Sequence, residues 1–153
     1  MPAPVRTSFI HLFAYLSAIG LAALVAACSG ADEFAQGAPD PALADAAYGE
    51  LTGDPRAGAR LFAMCQACHS LEPGVMRAGP SLHGVVGREA GSMAGFAYSD
   101  ANAGATHVWT GEELFAFLAA PRDYMPGTRM AFYGIADPQQ RADLIAFLDQ
   151  SGE

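Results

Sequence analysis

Two cysteines and a histidine near the middle of the chain restrict its possible folds more than any other feature. Cys65 and Cys68 are separated by two residues, and His69 follows the second cysteine directly. At the end of a helix, thiols at this spacing can add to the two vinyl groups along one edge of a haem, and the adjacent imidazole can then bind the iron. The motif therefore predicts one covalently attached haem with His69 as the proximal ligand.

Two other kinds of site could use these cysteines. A zinc site needs four ligands, and the extra histidines His83 and His107 lack the paired spacing of zinc modules. A thioredoxin-like pair is expected beside alternating strands and helices, a pattern that this chain does not show. The local sequence therefore favours haem attachment.

Three helix starts can be recognised downstream of residue 52. Asp54 and Asp137 each precede a proline, and Thr110 opens a capping box with a glutamate three residues later. The first helix should reach about Cys65, and the second must end before Pro121. Because no strand pattern is present, the sequence predicts an all-α domain.

Residues 74–95 are rich in glycine and proline and show no helical pattern. A loop region of this length is unusual in a compact domain unless it wraps something, and a large flat cofactor would supply that surface. Gly58 stands inside the first predicted helix, on the same face as Phe62. Since glycine weakens a helix, we expect another element to approach closely there.

The first 27 residues are typical of an export signal, with Arg6 as the only charge before an apolar run over residues 9–27. The run Val25-Ala26-Ala27-Cys28 resembles a bacterial lipobox, in which Cys28 becomes the lipidated N-terminus. One alternative is an uncleaved anchor, because the run approaches the roughly 20 residues that span a bilayer. The other is cleavage at a small-residue site and release of a soluble protein. In all three cases the domain lies outside the cytoplasm.

Residues 28–52 are rich in alanine, glycine, proline and acidic residues and contain no base. Such a segment cannot bury enough apolar surface to fold, and its like charges keep it extended. We therefore predict a signal or anchor at 1–27, a flexible acidic tether at 28–52 and a folded domain at 53–153. The formal net charge is −8 and all eight basic residues are arginines, which argues against nucleic-acid binding.

A sixth iron ligand must come from elsewhere in the domain. The side chains able to bind iron are Met64, Met76, Met93, Met125, Met130, His83 and His107. Any one methionine is more often a core filler than a ligand. Met130 stands out because the Pro126-Gly127 turn fixes the backbone just before it, and a rigid loop can present a weak thioether to iron.

From residue 53 to about 150 the chain resembles class I cytochrome c, the mitochondrial protein and its close bacterial relatives. The matching stretches, in order, are Gly79-Pro80-Ser81-Leu82-His83-Gly84, Val86-Gly87-Arg88, Gly95-Phe96-Ala97-Tyr98-Ser99-Asp100-Ala101-Asn102, Trp109, Pro126 to Met130, and Asp143-Leu144-Ile145-Ala146-Phe147-Leu148. The first 52 residues have no counterpart. The resemblance implies the class I cytochrome c fold, in which helices and long loops wrap around one covalently bound haem.

The resemblance also implies roles for individual residues. Met130 would be the distal axial ligand, and the carbonyl of Pro80 would accept the second ring N–H of His69 and orient that ring. The residues implied at the haem propionates are Arg88, Tyr98 and Trp109, those in the polar network near the haem are Asn102 and Thr128, and those where the first and last helices cross are Gly58, Phe62, Leu144 and Phe147. His83 and His107 are interpreted as structural.

Two features depart from the family pattern. Phe117 stands where the family usually has a tyrosine whose hydroxyl lies close to the methionine sulfur. Met64 and Asp123 occupy positions where the mitochondrial proteins have lysines around the exposed haem edge. Arg60, Arg122 and Arg129 remain on matching stretches, so the basic face is narrower than in the mitochondrial proteins.

The expected function is one-electron transfer by a monomer tethered on the periplasmic side of a membrane. The expected donor is a quinol-oxidising complex, and the expected acceptor is a terminal oxidase or a photosynthetic reaction centre. With both axial positions filled the iron has no open site, which argues against an enzyme. The alternatives are a peroxidase or small-gas sensor, which would require a labile Met130, and an accessory subunit of one larger oxidoreductase.

Overall fold

The computed structural model of the protein describes residues 41–152. The predicted signal or anchor at 1–27, the lipidation candidate Cys28 and the first part of the predicted tether lie outside this range. Across the described residues, no helix is both long and apolar enough to cross a membrane.

Five α-helices and four short 3₁₀ turns make up the regular structure of the described chain. The α-helices are α1 (Pro55–Leu61), α2 (Asp100–Ala103), α3 (Gly111–Ala119), α4 (Pro121–Tyr124) and α5 (Pro138–Asp149), and the 3₁₀ turns are Pro41–Leu43, Tyr48–Glu50, Phe62–Met64 and Gln150–Gly152. Strand pairing within 41–152 is limited to one isolated bridge between Glu89 and Val108. The prediction of an all-α domain is therefore confirmed for this range.

The three predicted helices begin at the predicted caps. The Asp54 carboxylate accepts a hydrogen bond from the N–H of Arg56 at 2.8 Å, and the Asp137 carboxylate accepts one from Gln139 at 2.8 Å. The first helix tightens into the 3₁₀ turn Phe62–Met64 before Cys65. Helices α2 and α4 were not predicted, because four residues carry too little periodicity to be recognised.

The capping box predicted at Thr110 is only half formed. The Thr110 hydroxyl accepts a hydrogen bond from the N–H of Glu113 at 3.2 Å, as expected. The reciprocal bond is missing, because the Glu113 carboxylate instead accepts a hydrogen bond from the Tyr124 hydroxyl. The Thr110 N–H donates to the carbonyl of Val108 at 2.8 Å. The Glu113 side chain thus links α3 to α4 by a hydrogen bond and does not cap the start of α3.

Helix α1 packs directly on α5 at Gly58, as the sequence predicted. A Cβ atom at Gly58 would overlap the carbonyl oxygen of Asp143 and lie 2.7 Å from the Cβ of Phe147. The rings of Phe62 and Phe147 pack beside this contact with centroids 5.5 Å apart. The Asp143 carboxylate joins the same region by accepting from the N–H of Asp54 at 2.8 Å. The two helices can therefore approach this closely only without a side chain at residue 58.

The folded part begins before residue 53. Tyr48 is half-buried, and its ring packs on that of Phe115 in α3 with centroids 5.6 Å apart. The carbonyl of Thr52 accepts a hydrogen bond from the Gln139 side chain at 2.8 Å. Residues 48–52, placed in the flexible tether on composition alone, thus contact α3 and α5. The exact domain boundary stays a prediction.

Candidate haem site

His69 is held in one orientation by the backbone that faces it. Its Nδ1–H donates to the carbonyl of Pro80 at 2.8 Å. Gly79 leaves the room that the ring needs, since a Cβ there would lie 2.7 Å from Nδ1. Burial lowers the pKa of His69 more strongly than the bond to Pro80 raises it. The ring is therefore favoured as neutral imidazole, with Nδ1 protonated and Nε2 left as a metal-binding lone pair.

Cys65 and Cys68 lie on the turn that follows Phe62–Met64. The N–H groups of Cys68 and His69 both donate to the carbonyl of Cys65, at 3.0 and 2.9 Å. This turn brings the two thiols and the imidazole together on one short segment. Burial, with a smaller contribution from Cys68, raises the pKa of the Cys65 thiol to about 11.

A zinc site does not fit this arrangement. A structural zinc site needs four ligands held together. The part of the chain that the structure describes contains no group of three or more histidine, cysteine or acidic residues that could hold a metal ion.

The turn predicted at Pro126 and Gly127 is present in the loop before Met130. The N–H of Thr128 donates to the carbonyl of Met125 at 3.0 Å, and Gly127 adopts a positive φ of 92°. The Thr128 hydroxyl then accepts from the N–H of Met130 at 3.3 Å. The Met130 side chain is half-buried against the core. The turn and the threonine thus fix the backbone on which the Met130 thioether is carried.

Met125 and Met130 differ in what their sulfur atoms contact. Met125 is only 6% exposed, and its Sδ accepts a hydrogen bond from the Asn102 amide at 2.8 Å. The Sδ of Met130 accepts no hydrogen bond from residues 41–152. A sulfur that is not already engaged is the better candidate for a metal ligand. Asn102 and Thr128 each contact a methionine of this loop, and no hydrogen bond links the two residues to each other.

Three other ligand candidates, Met64, His83 and His107, can be compared with these methionines. Met64 is 37% exposed on the surface. The His83 carbonyl accepts a hydrogen bond from Arg88 at 2.9 Å, so this residue braces a loop. The His107 ring packs edge-on against Trp109 with centroids 4.4 Å apart, and its Nε2 is buried without a partner. The His107 ring thus sits in a structural contact, whereas the structural role of the His83 ring stays a prediction.

Arg88 is a partly buried cation that pairs with no carboxylate of the described residues. Its guanidinium donates to the carbonyls of Ser81 and His83, both at 2.9 Å. Burial lowers its pKa, and the nearby Tyr98 opposes this shift. An arginine remains protonated in such a setting. A partly buried positive charge held only by carbonyls fits a site that receives an anion, such as a haem propionate.

Three more polar side chains belong to the candidate site. Trp109 and Tyr98 were predicted as propionate contacts, and Ser99 was not predicted. The Trp109 side chain is 8% exposed, and its indole N–H donates to no group within 41–152. The Tyr98 hydroxyl accepts from the N–H of Met93 at 3.3 Å and keeps its own proton to donate. Ser99 was missed: its hydroxyl is buried without a partner although it precedes α2 as the N-cap residue. The sequence offered no signal for Ser99, because α2 was not predicted and the missing cap bond is seen only in the folded chain.

The residues of the candidate site come from several segments of the domain. An open groove of about 540 Å³ lies between residues 98–101 and the turn at Pro126 and Gly127, and neither the segment 65–69 nor Met130 lines it. Unpartnered donors at Ser99 and Trp109, the Arg88 charge and the two attachment cysteines form a donor set that fits a haem with its two carboxylates. Phe117, packed between Trp109 and Tyr124 with centroids 4.9 and 5.7 Å away, contributes only apolar surface.

Comparison with known proteins points to the same cofactor. The family model for cytochrome c matches residues 55–152. Cytochrome c of Arabidopsis thaliana is 46% identical over 102 residues, covering 65% of this chain and 91% of the relative. Cytochrome c of Cochliobolus lunatus is 47% identical over 100 residues, covering 64% and 93%. The solved structure of cytochrome cH from Methylobacterium extorquens superposes with a TM-score of 0.62 at 43% identity, covering 64% of this chain and 99% of that one.

Proposed function

The chain belongs to the cytochrome c family, and from this premise we propose that it carries electrons between membrane redox complexes while tethered through its N-terminus. Family membership establishes the class I cytochrome c fold, one haem c bound covalently through Cys65 and Cys68, and a role in electron transfer instead of catalysis. The tether, the compartment and the particular partners are part of the proposal.

The observation that carries the tether is the extent of the match. The matched region spans about nine tenths of the length of each relative but only about two thirds of this chain. The residues before the matched region include the apolar run 9–27 and the lipobox-like run ending at Cys28. An acylated Cys28, or an uncleaved apolar segment, would keep the domain at a membrane on the periplasmic side.

We propose His69 and Met130 as the axial ligands. When bound, the haem supplies a one-electron ferric–ferrous couple, and His/Met ligation gives it a high potential. The Pro80 carbonyl orients the His69 ring and increases its basicity through the Nδ1–H bond. Arg88 would offset propionate charge, and Tyr98, Ser99 and Trp109 would donate hydrogen bonds to the propionates, which lowers the cost of burying two carboxylates.

The proposed electron donor is a quinol-oxidising complex, and the proposed acceptor is a terminal oxidase or reaction centre. The protein would carry electrons between them as a monomer. Attachment to the same membrane raises the effective concentration of the carrier near both complexes. Strong long-range electrostatic attraction is then unnecessary, which agrees with a chain that has no lysine.

Cys28→Ser should abolish lipid attachment. In the wild-type protein, intact mass spectrometry of the membrane fraction should report one haem and one lipid modification together. In Cys28→Ser the lipid mass should disappear while the haem mass remains. Ser17→Ala, in the same apolar run, keeps residues 25–28 intact and should be processed normally. Unchanged lipid labelling in Cys28→Ser would refute the lipobox, and a wild-type protein found only in the soluble fraction would refute tethering.

Electron transfer with membranes of the source organism should depend weakly on salt. Steering by unlike charges raises association rates about 10- to 1000-fold and is lost as salt screens it. Here the chain has no lysine, and Met64 and Asp123 stand where the mitochondrial proteins have lysines around the exposed haem edge. Stopped-flow rates should therefore fall by less than about tenfold from low to high salt.

Asp123→Lys provides the matched comparison for the salt experiment. Asp123 is exposed on α4, where the resembling proteins have a lysine. The substitution should steepen the salt dependence without changing the reduction potential. A steep dependence already present in the wild-type protein would contradict weak steering.

A further inference from the structure

The ring of Tyr48 packs against the start of α3, in a space that is open only because residue 111 is glycine. A Cβ atom at Gly111 would lie 2.6 Å from Cζ and 2.7 Å from the hydroxyl oxygen of Tyr48. Glycine is a poor helix residue, and Gly111 is the first residue of α3. The φ of Gly111 is not positive, so backbone conformation does not require glycine there. The tyrosine ring explains why a side chain is excluded.

The ring of Tyr48 is covered on more than one side. It packs on Phe115, whose own ring is in contact with the Arg141 guanidinium at 4.1 Å. Burial raises the pKa of Tyr48, followed by the carboxylates of Glu112 and Asp149, so the neutral phenol is the docked form. A tyrosine placed in this way is a typical anchor, since it buries a large ring at a small cost in side-chain entropy.

Residues 48–52, which we call the strap, continue from this anchor onto α5. The Tyr48–Glu50 turn is closed by the N–H of Leu51, which donates to the carbonyl of Tyr48 at 3.2 Å. The Thr52 carbonyl accepts from Gln139 at 2.8 Å. Next to the strap, a Cβ at Gly53 would lie 2.7 Å from the Cβ of Ala146. The chain is therefore in contact with the domain from Tyr48 onward.

We infer that the start of α3, with its gap at Gly111, is an intramolecular docking site for the strap, so that the N-terminal segment leaves the domain beside α3 instead of at the start of α1. Docking moves the point at which a tether would join the domain from residue 53 to residue 48, and this restricts the directions in which a tethered domain can turn. This consequence for orientation rests on the proposed membrane tether, whereas the docking itself does not.

Gly111→Ala should release the strap of the full-length haem-loaded protein. Chymotrypsin cleavage after Leu51 reports the opening, because proteolysis under these conditions follows the population of the open form. We expect cleavage to become about tenfold faster in Gly111→Ala. Gly49→Ala is the matched control, since a Cβ at residue 49 meets nothing within 4 Å, and it should cleave at the wild-type rate. Equal rates in Gly111→Ala and the wild-type protein would overturn the docking site.

A double substitution separates docking from general damage to α3. Tyr48→Ala alone should also open the strap, and adding Gly111→Ala to it should cause no further increase, because the clash partner is gone. Additive effects of the two substitutions would overturn the proposed contact. The haem absorption spectrum should be unchanged in all variants. The cleavage assay needs no lipid, so its failure counts against docking alone, whereas an unmodified, soluble protein counts against the tether alone.

Discussion

Met130→Leu should lower the reduction potential of the haem by tenths of a volt and open the iron to carbon monoxide. The expected size reflects the roughly 0.8 V range over which axial ligands set haem potentials. Leucine preserves the apolar volume but has no lone pair, so the thioether is removed with little change in packing. Potentiometric titration gives the first quantity, and the absorption spectrum of the ferrous protein under carbon monoxide gives the second.

Met125→Leu is the matched control for this substitution. Met125 precedes the same turn and is more deeply buried, at 6% exposure, but its sulfur is held by the Asn102 amide. Losing that bond should shift the potential slightly and leave the iron closed to carbon monoxide. The opposite pattern, in which Met125→Leu opens the iron and Met130→Leu does not, would show that the distal ligand has been misassigned.

Gly58→Ala should destabilise the haem-loaded domain by about 3 kcal/mol, near the upper end of the usual cost of overpacking. Helix propensity alone predicts the opposite sign, because alanine is favoured over glycine by roughly 0.5–1 kcal/mol within a helix. The contact with α5 decides the sign of the change in stability. The added Cβ would lie 2.7 Å from the carbonyl carbon of Asp143, and a backbone atom cannot move aside as a flexible side chain can. Thermal unfolding should show a midpoint lower by roughly 10–20 °C for a domain of this size.

Ala59→Gly, at the next position of α1, measures the propensity effect without the contact. Ala59 is exposed, so this substitution should cost only about 1 kcal/mol. If Gly58→Ala instead raised the unfolding midpoint, the close packing of α1 on α5 would be wrong.

Features that depend on neighbouring residues could be predicted from the sequence. The helix starts at Asp54 and Asp137 were correct because a cap is formed by a side chain and the N–H groups two or three residues later. Haem attachment followed from the spacing of Cys65 and Cys68, since two thiols must match the edge of one ring. Gly58 could be interpreted because an unfavourable residue inside a helix signals an external contact.

Other features required the folded chain, because they join residues far apart in sequence. Glu113 completes a capping box by local pattern, yet the Tyr124 hydroxyl from α4 takes its carboxylate. The sequence already favoured Met130 as the ligand, but only the folded chain shows the Asn102 amide at the sulfur of Met125.

The N-terminal boundary shows the same division. Composition placed residues 48–52 in a disordered tether, since acidic and small residues bury little apolar surface. In the structure these residues contact the domain, because the ring of Tyr48 packs on α3 at Gly111. Glycine at this position, 63 residues later, leaves the space that the ring needs. Local spacing thus determined where helices begin and where the haem is attached. Only the tertiary structure decided which residues distant in sequence contact one another. The reason is that the shapes of side chains, and hydrogen-bonding groups without a local partner, are matched between residues that are close in space.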